Sequence, residues 1–121
     1  MNFHTAVEQI VADKNNQVIE LPSGWAQGRA FFGGFSGALA AQFLLKQFPV
    51  EYHLRSMSIS FVAPAEPGEA ELNYRILREG KSVIQVAVEL QQQGQIMLSC
   101  LASLGKGRSS TVTVVSETPP D

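Results

Sequence analysis

Sixteen consecutive residues, Gly33 to Phe48, carry a single charge, Lys46. A helix that apolar on every side must be wrapped by the rest of its chain. The stretch opens on Gly33-Gly34 and runs into Phe48-Pro49, and a residue before proline avoids helical geometry. The pattern therefore predicts a helix beginning at Gly33 or Gly34 and stopping at Phe48. Gly37, Ala38, Ala40 and Ala41 keep its middle thin, which lets a neighbouring element approach closely. At 1.5 Å per residue the helix spans only about 24 Å. It also holds Gln42, Lys46 and Gln47, so it is not expected to cross a membrane.

Around this helix the chain reads mostly as strands. Thr5 to Val11 predicts a short amphipathic helix, with Thr5 and Glu8 as a capping box and Ala6, Val7, Ile10 and Val11 as its stripe. Gln17 to Leu21 reads as a short strand, and Pro22-Ser23-Gly24 as a turn. In Leu54 to Val62, Met57, Ile59 and Phe61 share one face, and Ser56, Ser58 and Ser60 share the other. Ala70 to Ile76 alternates cleanly, as a half-buried strand does. Glu79-Gly80 and Gln93-Gly94 turn the chain between that strand, Val83 to Leu90 and Ile96 to Leu104. These three strands predict a meander. Residues 1–110 read as one domain. Residues 111–121 follow a flexible Gly/Ser segment and read as an edge strand, Thr111 to Val115, with a linker-like tail. One buried helix and a run of antiparallel strands give an α+β fold, a sheet curled around a single helix.

Composition narrows the function classes. The 121 residues suffice for one domain, and a net charge of −2 with no basic stripe argues against nucleic acid as a partner. The N-terminus lacks the layout of a signal peptide. Cys100 is the one cysteine; it is expected to be a buried hydrophobe in a reducing, cytoplasmic setting. No His or Cys spacing suggests a metal site.

The local wording carries a resemblance. GRAFFGGFSGALAAQ is similar to the helix start of the acyl-CoA thioesterase II family, with its phenylalanine-Gly-Gly. LRSMSISFVAPAEPGEAELNYRILREGKSV resembles that family's next segment, a strand ending in phenylalanine-x-x-proline and a hairpin with an arginine-acidic-glycine turn. The resemblance covers residues 22 to 104. It implies the hotdog fold, in which an antiparallel sheet is wrapped around one long central helix. It also implies hydrolysis of fatty acyl-CoA to fatty acid and coenzyme A, within fatty-acid metabolism. No cofactor is implied, because coenzyme A is part of the substrate. Family members usually carry two hotdog repeats. This sequence resembles the first, and SSTVTVVSETPPD resembles the connector to the second. The chain is then either one repeat of a longer protein or a single-repeat protein that pairs with itself, as a homodimer, or with another subunit.

Gly33 and Gly34 at a helix N-terminus would offer unpaired N–H groups and the positive end of the helix dipole. Such donors can stabilise the oxyanion of a thioester undergoing attack; the competing reading is that both glycines only allow tight packing. Hydrolysis also needs a group to activate water, and from Leu21 to Val50 there is no Asp or Glu. The resemblance implies that the family's Asp, Ser/Thr and Gln network lies on the second repeat. Laying the repeats together puts Ser56 at the aspartate position, Ser82 at the Ser/Thr position and Leu104 near the glutamine. The expected base therefore comes from a partner repeat. Arg29 is a candidate contact for a coenzyme A phosphate, or a structural ion-pair partner. Trp25, Phe31, Phe32 and Phe35 are candidates for an acyl tunnel or for interface packing. His53, just before a strand, ranks low as a general base and His4, at the N-terminus, lower still, and Lys81 and Lys106 read as solvated charges. Three functions stay open: a thioesterase domain completed by a second repeat, a non-catalytic acyl-thioester binding or structural half, and, ranked below both, a hydratase or dehydratase.

Overall fold

Strand alternation in the sequence becomes one six-stranded sheet. The computed structural model describes residues 3–21, 29–107 and 113–117, with side chains for residues 6–21 and 36–107. In chain order the elements are α1 (Phe3–Glu8), β1 (Asn16–Leu21), α2 (Arg29–Gln47), β2 (Tyr52–Phe61), β3 (Gly68–Glu79), β4 (Val83–Gln92), β5 (Gln95–Lys106) and β6 (Thr113–Glu117). The sheet order is β1-β3-β4-β5-β2-β6. Strands β1 to β5 pair antiparallel, and β6 lies parallel to β2, Ser56 to Ser60 matching Thr113 to Glu117. The meander β3-β4-β5 is present as the pattern predicts. Its second turn places both Gln93 (φ 52°) and Gly94 (φ 77°) in the left-handed region, the twist that suits a two-residue hairpin.

One sheet face is the core. Ile84, Val86, Val88 and Leu90 on β4 are buried, as are Leu98, Cys100, Ala102 and Leu104 on β5 and Met57 and Ile59 on β2. Against them α2 buries Leu39, Ala40, Phe43 and Leu44, each at 0% exposure. Full burial of such a Leu or Phe side chain contributes roughly 1.5–3 kcal/mol. Phe43 and Phe48 both pack their rings on Tyr74 of β3, at 5.7 and 5.4 Å between centroids. The thin middle of the helix serves its expected purpose: a Cβ at Gly37 would stand 3.2 Å from Ile59 Cδ1.

The wrapping is one-sided. Ala38 is exposed, Ala41 and Gln42 are half-buried, and Leu45 is 41% exposed. Spaced three and four apart, these residues form a stripe on the helix that the sheet does not cover.

Several element boundaries differ from the sequence reading. Helix α2 begins at Arg29, not at the glycine pair; Arg29 and Ala30 are strong helix formers, and the glycines are carried inside. Helix α1 spans Phe3–Glu8, so Thr5 lies within it and does not cap it. The predicted edge strand Thr111 to Val115 is described from Thr113 and continues to Glu117, as β6. The turn at Pro22-Ser23-Gly24 and the segment 108–112 lie outside the described residues.

Amides and one lysine fix the N-terminal segment. Gln47 Nε2 donates to the Val11 carbonyl and its Oε1 accepts from the Lys14 amide, at 2.7 and 2.8 Å. Buried Gln17 donates to the Val11 and Lys14 carbonyls and accepts from the Val11 amide. Lys46 Nζ reaches the Val7 and Ile10 carbonyls at 2.9 and 3.3 Å; a cation there satisfies acceptors at the end of α1. At the sheet's edge, Gln9, the residue after α1, donates to the Glu20 carbonyl and accepts from the Glu20 amide, at 2.9 and 2.7 Å.

Candidate active site

Helix α2 is the element on which the candidate oxyanion donors lie. Its first turn starts at Arg29, so Gly33 and Gly34 are its fifth and sixth residues. In a regular α-helix their N–H groups bond to the carbonyls four residues back, of Arg29 and Ala30. The amides without intrahelical acceptors are those of the first turn, at Arg29, Ala30 and Phe31. The side chains of Arg29, Phe31, Phe32 and Phe35, and all of Trp25, lie outside the described residues, as does the side chain of His4. From Ser36 onward side chains are described, and Ser36 is buried at the head of the core-facing stripe.

Positions proposed for the water-activating network divide between the two sheet faces. Ser56 pairs with Ser103, and Leu54 pairs with Leu104, with a bulge between Leu54 and Ser56. Leu104 is fully buried on the helix side. Ser56, in register with Ser103, faces the opposite side, because neighbouring residues alternate across the sheet. Ser82 is on the exposed turn before β4, where its carbonyl accepts from the Lys106 amide at 2.9 Å. The three positions gather at one end of the sheet, but Ser56 and Leu104 are separated by its thickness.

Ser56 borders a hollow of about 370 Å³ on the face away from α2. Ser58, Leu77, Gln85, Leu101 and Ser103 also line it. Short side chains line it, and two of them, Ser56 and Ser103, are directly paired. No carboxylate lines this hollow.

Other titratable candidates have structural surroundings. Cys100 is buried, and burial pushes its thiol up to about 12, so no thiolate nucleophile forms near neutral pH. His53 pairs with Gly105 on β2. Lys106, read from sequence as a solvated charge, holds its Nζ 5.3 Å from the centre of the Tyr52 ring, within cation–π range. Among the described residues no three His, Cys, Asp or Glu side chains gather as a metal site, and no helix is long and apolar enough to cross a membrane. Sequence reading passed over Gln17, Gln47 and Gln92, the buried amides. Their signal was a glutamine at a position whose neighbours in the periodic pattern are apolar.

The family model for the acyl-CoA thioesterase N-terminal domain matches residues 21–105. No curated protein sequence matches the chain. Among solved structures, a putative thioesterase II from Thermobifida fusca YX is 26% identical with a TM-score of 0.70, over 91% of this chain and 43% of that one. The acyl-CoA thioesterase II TesB2 of Mycobacterium marinum is 18% identical with a TM-score of 0.68, over 88% and 41%. A protein of unknown function with a hot dog fold from Alicyclobacillus acidocaldarius is 18% identical with a TM-score of 0.69, over 98% and 46%. The chain thus spans less than half the length of these three structures, and the shared part is the sheet with its central helix.

Proposed function

Since this chain belongs to the acyl-CoA thioesterase N-terminal domain family, we propose that it is a hotdog thioesterase domain whose chemistry is completed by a second hotdog unit. The reaction is hydrolysis of a fatty acyl-CoA. Water oxygen attacks the thioester carbonyl, negative charge collects on the carbonyl oxygen, and the C–S bond then breaks. The carboxylic acid leaves, and the coenzyme A sulfur takes up a proton.

In this reading the start of α2 supplies the oxyanion donors. Its first-turn amides have no intrahelical acceptor, and the helix dipole adds to their pull on developing charge. Gly33 and Gly34 contribute in two ways. They leave the helix free of side chains where a thioester would approach, and they make opening of the first turn inexpensive, which would release their own amides. Arg29 is assigned to a coenzyme A phosphate, and Phe32 and Phe35 to the acyl chain.

The observation that carries the two-unit reading is the acid-free stretch from Leu21 to Val50. The helix and its approaches contain no carboxylate to take a proton from water. The exposed stripe at Ala38 and Leu45 adds to it, since an apolar helix half-covered by its own sheet has room for a second unit.

The same missing carboxylate favours a second reading, a non-catalytic half that binds the acyl thioester or completes a partner's tunnel. Thiol release from a panel of acyl-CoA esters, measured on a sample of known mass, separates the two. Turnover that appears only with a second, acid-bearing hotdog unit supports the first reading. Saturable acyl-CoA binding without turnover in any assembly supports the second.

A further inference from the structure

We propose that the hollow on the sheet face away from α2 binds a short-chain carboxylate, its anionic head across Gln85, Ser103 and Ser56 and its alkyl tail on Leu101 and Leu77. The proposal does not rest on the hydrolytic reading, whose donors lie at the start of α2 and not on this face.

Strand register builds the site. Arg78, Gln85, Ser103 and Ser56 stand side by side across four strands. The bulge after Leu54 sets Arg55 beside them, its side chain laid over Gly105. Gln85, Ser103 and Ser56 make no side-chain hydrogen bond to another described residue, so their donors face the hollow. Two residues along the strands, about 7 Å away, Arg75, Ala87, Leu101 and Ser58 form the next row. Leu101 and Leu77 are 57% and 49% exposed there. One row therefore offers hydrogen bonds and the next offers apolar surface.

Charge selects the ligand's sign and its length. Arg55, Arg75 and Arg78 belong to these two rows, and no carboxylate lines the hollow. Glu79 pairs with buried Ile84 and so belongs to the other face. A carboxylate on the first row gains charge-assisted hydrogen bonds from the hydroxyls and the amide, within the field of the guanidinium groups. Past Leu101 the sign changes. Glu89 stands in the following row with Ser99 and Ser60, and Glu71, Glu69 and Glu20 come after it on the same face. A tail has about 7 Å of leucine surface before it meets these carboxylates, which limits it to a short chain. The same carboxylates repel the head, so the ligand has one orientation.

The test uses the full chain and sodium hexanoate, followed by the backbone amide signals in an NMR titration. Saturable shifts are expected at Ser56, Leu101 and Ser103, with a Kd on the order of millimolar, as suits so small a ligand. Hexanol keeps the tail without the charge, and inorganic phosphate keeps a charge without the tail. Each is expected to bind at least about tenfold more weakly. Leu101→Glu sets a carboxylate where the tail lies, and Gln85→Glu sets one beside the head. Both positions are exposed, so both variants are expected to keep a dispersed, folded spectrum and to lose the hexanoate shifts. The proposal is overturned by shifts that do not saturate, by hexanol or phosphate binding as tightly as hexanoate, or by unchanged binding in both variants. Shifts centred on α2 also overturn it, and place the acid in the candidate thioesterase site. Acyl-CoA turnover enters none of these readouts, so failure of the hydrolytic reading leaves the result as it stands.

Discussion

Gly37 of α2 faces Ile59 of β2 so closely that a Cβ at position 37 would lie 3.2 Å from Ile59 Cδ1. Two effects oppose one another there. Replacing a mid-helix glycine by alanine gains up to about 1 kcal/mol of helix propensity, while the new methyl crowds the tip of a flexible side chain. Gly37→Ala is expected to change stability by less than about 1 kcal/mol. Gly37→Val adds two branches against the sheet and is expected to destabilise by about 1–3 kcal/mol, the usual range for overpacking. Urea denaturation of both variants checks this, and Ile59→Val should recover part of the Gly37→Val loss.

Gln47 is expected to matter more than an exposed glutamine would. Gln47→Met keeps the length of the side chain but leaves the Lys14 amide and the Val11 carbonyl without their 2.8 and 2.7 Å partner. A fully buried orphan costs about 1–3 kcal/mol; the loss is smaller here, because Val11 and Lys14 are exposed to water and Gln17 still donates to Val11. Hydrogen exchange at Lys14 should accelerate well before the sheet amides change. Equal acceleration throughout would mean that the clamp stabilises the whole fold and not this segment.

Burial lifts the Cys100 thiol from an ordinary value of 9.0 to about 12. Between those values the unfolded chain loses its proton and the folded chain keeps it, so this group's contribution is complete below pH 9 and declines as pH rises toward 12. The steepest slope it can give is about 1.4 kcal/mol per pH unit. Cys100→Ala should flatten the alkaline limb of stability against pH relative to wild type. Native protein should also resist thiol reagents until it is denatured.

For the proposed chemistry, Gly34→Val is the most direct variant. If thioester carbonyls are stabilised at the start of α2, the branched side chain should block their approach to the donors, and turnover of the assembled enzyme should fall about 100-fold or more, comparable with losing one oxyanion donor. Circular dichroism and assembly mass should be retained. An unchanged rate in an active assembly would remove Gly34 from the mechanism.

Much of this architecture is legible in the sequence because strand alternation is a local signal. Met57, Ile59 and the buried residues of β4 announce their face two residues at a time, and Gly80 and Gly94 mark the turns without reference to the rest of the fold. The start of α2 is harder. A glycine pair is the usual sign of a break, yet Arg29 and Ala30 extend the helix upstream, and glycine inside a packed helix costs only about 1 kcal/mol. The placement of Ser56 against Leu104 depended on a bulge at Arg55. One inserted residue changes which face a side chain meets, and no residue type in LRSMS marks it. The buried amide of Gln47 joins parts of the chain 33 and 36 residues apart, a relation that periodicity does not carry.

The paired hydrogen bonds of Gln9 on Glu20 have a consequence for how far assembly can go. A sheet with two receptive edges adds copies at both ends and grows into a filament. A sheet with one edge occupied adds a single copy and is then finished. A side-chain amide, placed one residue past a six-residue helix, thereby closes the β1 edge to a further strand at Glu20.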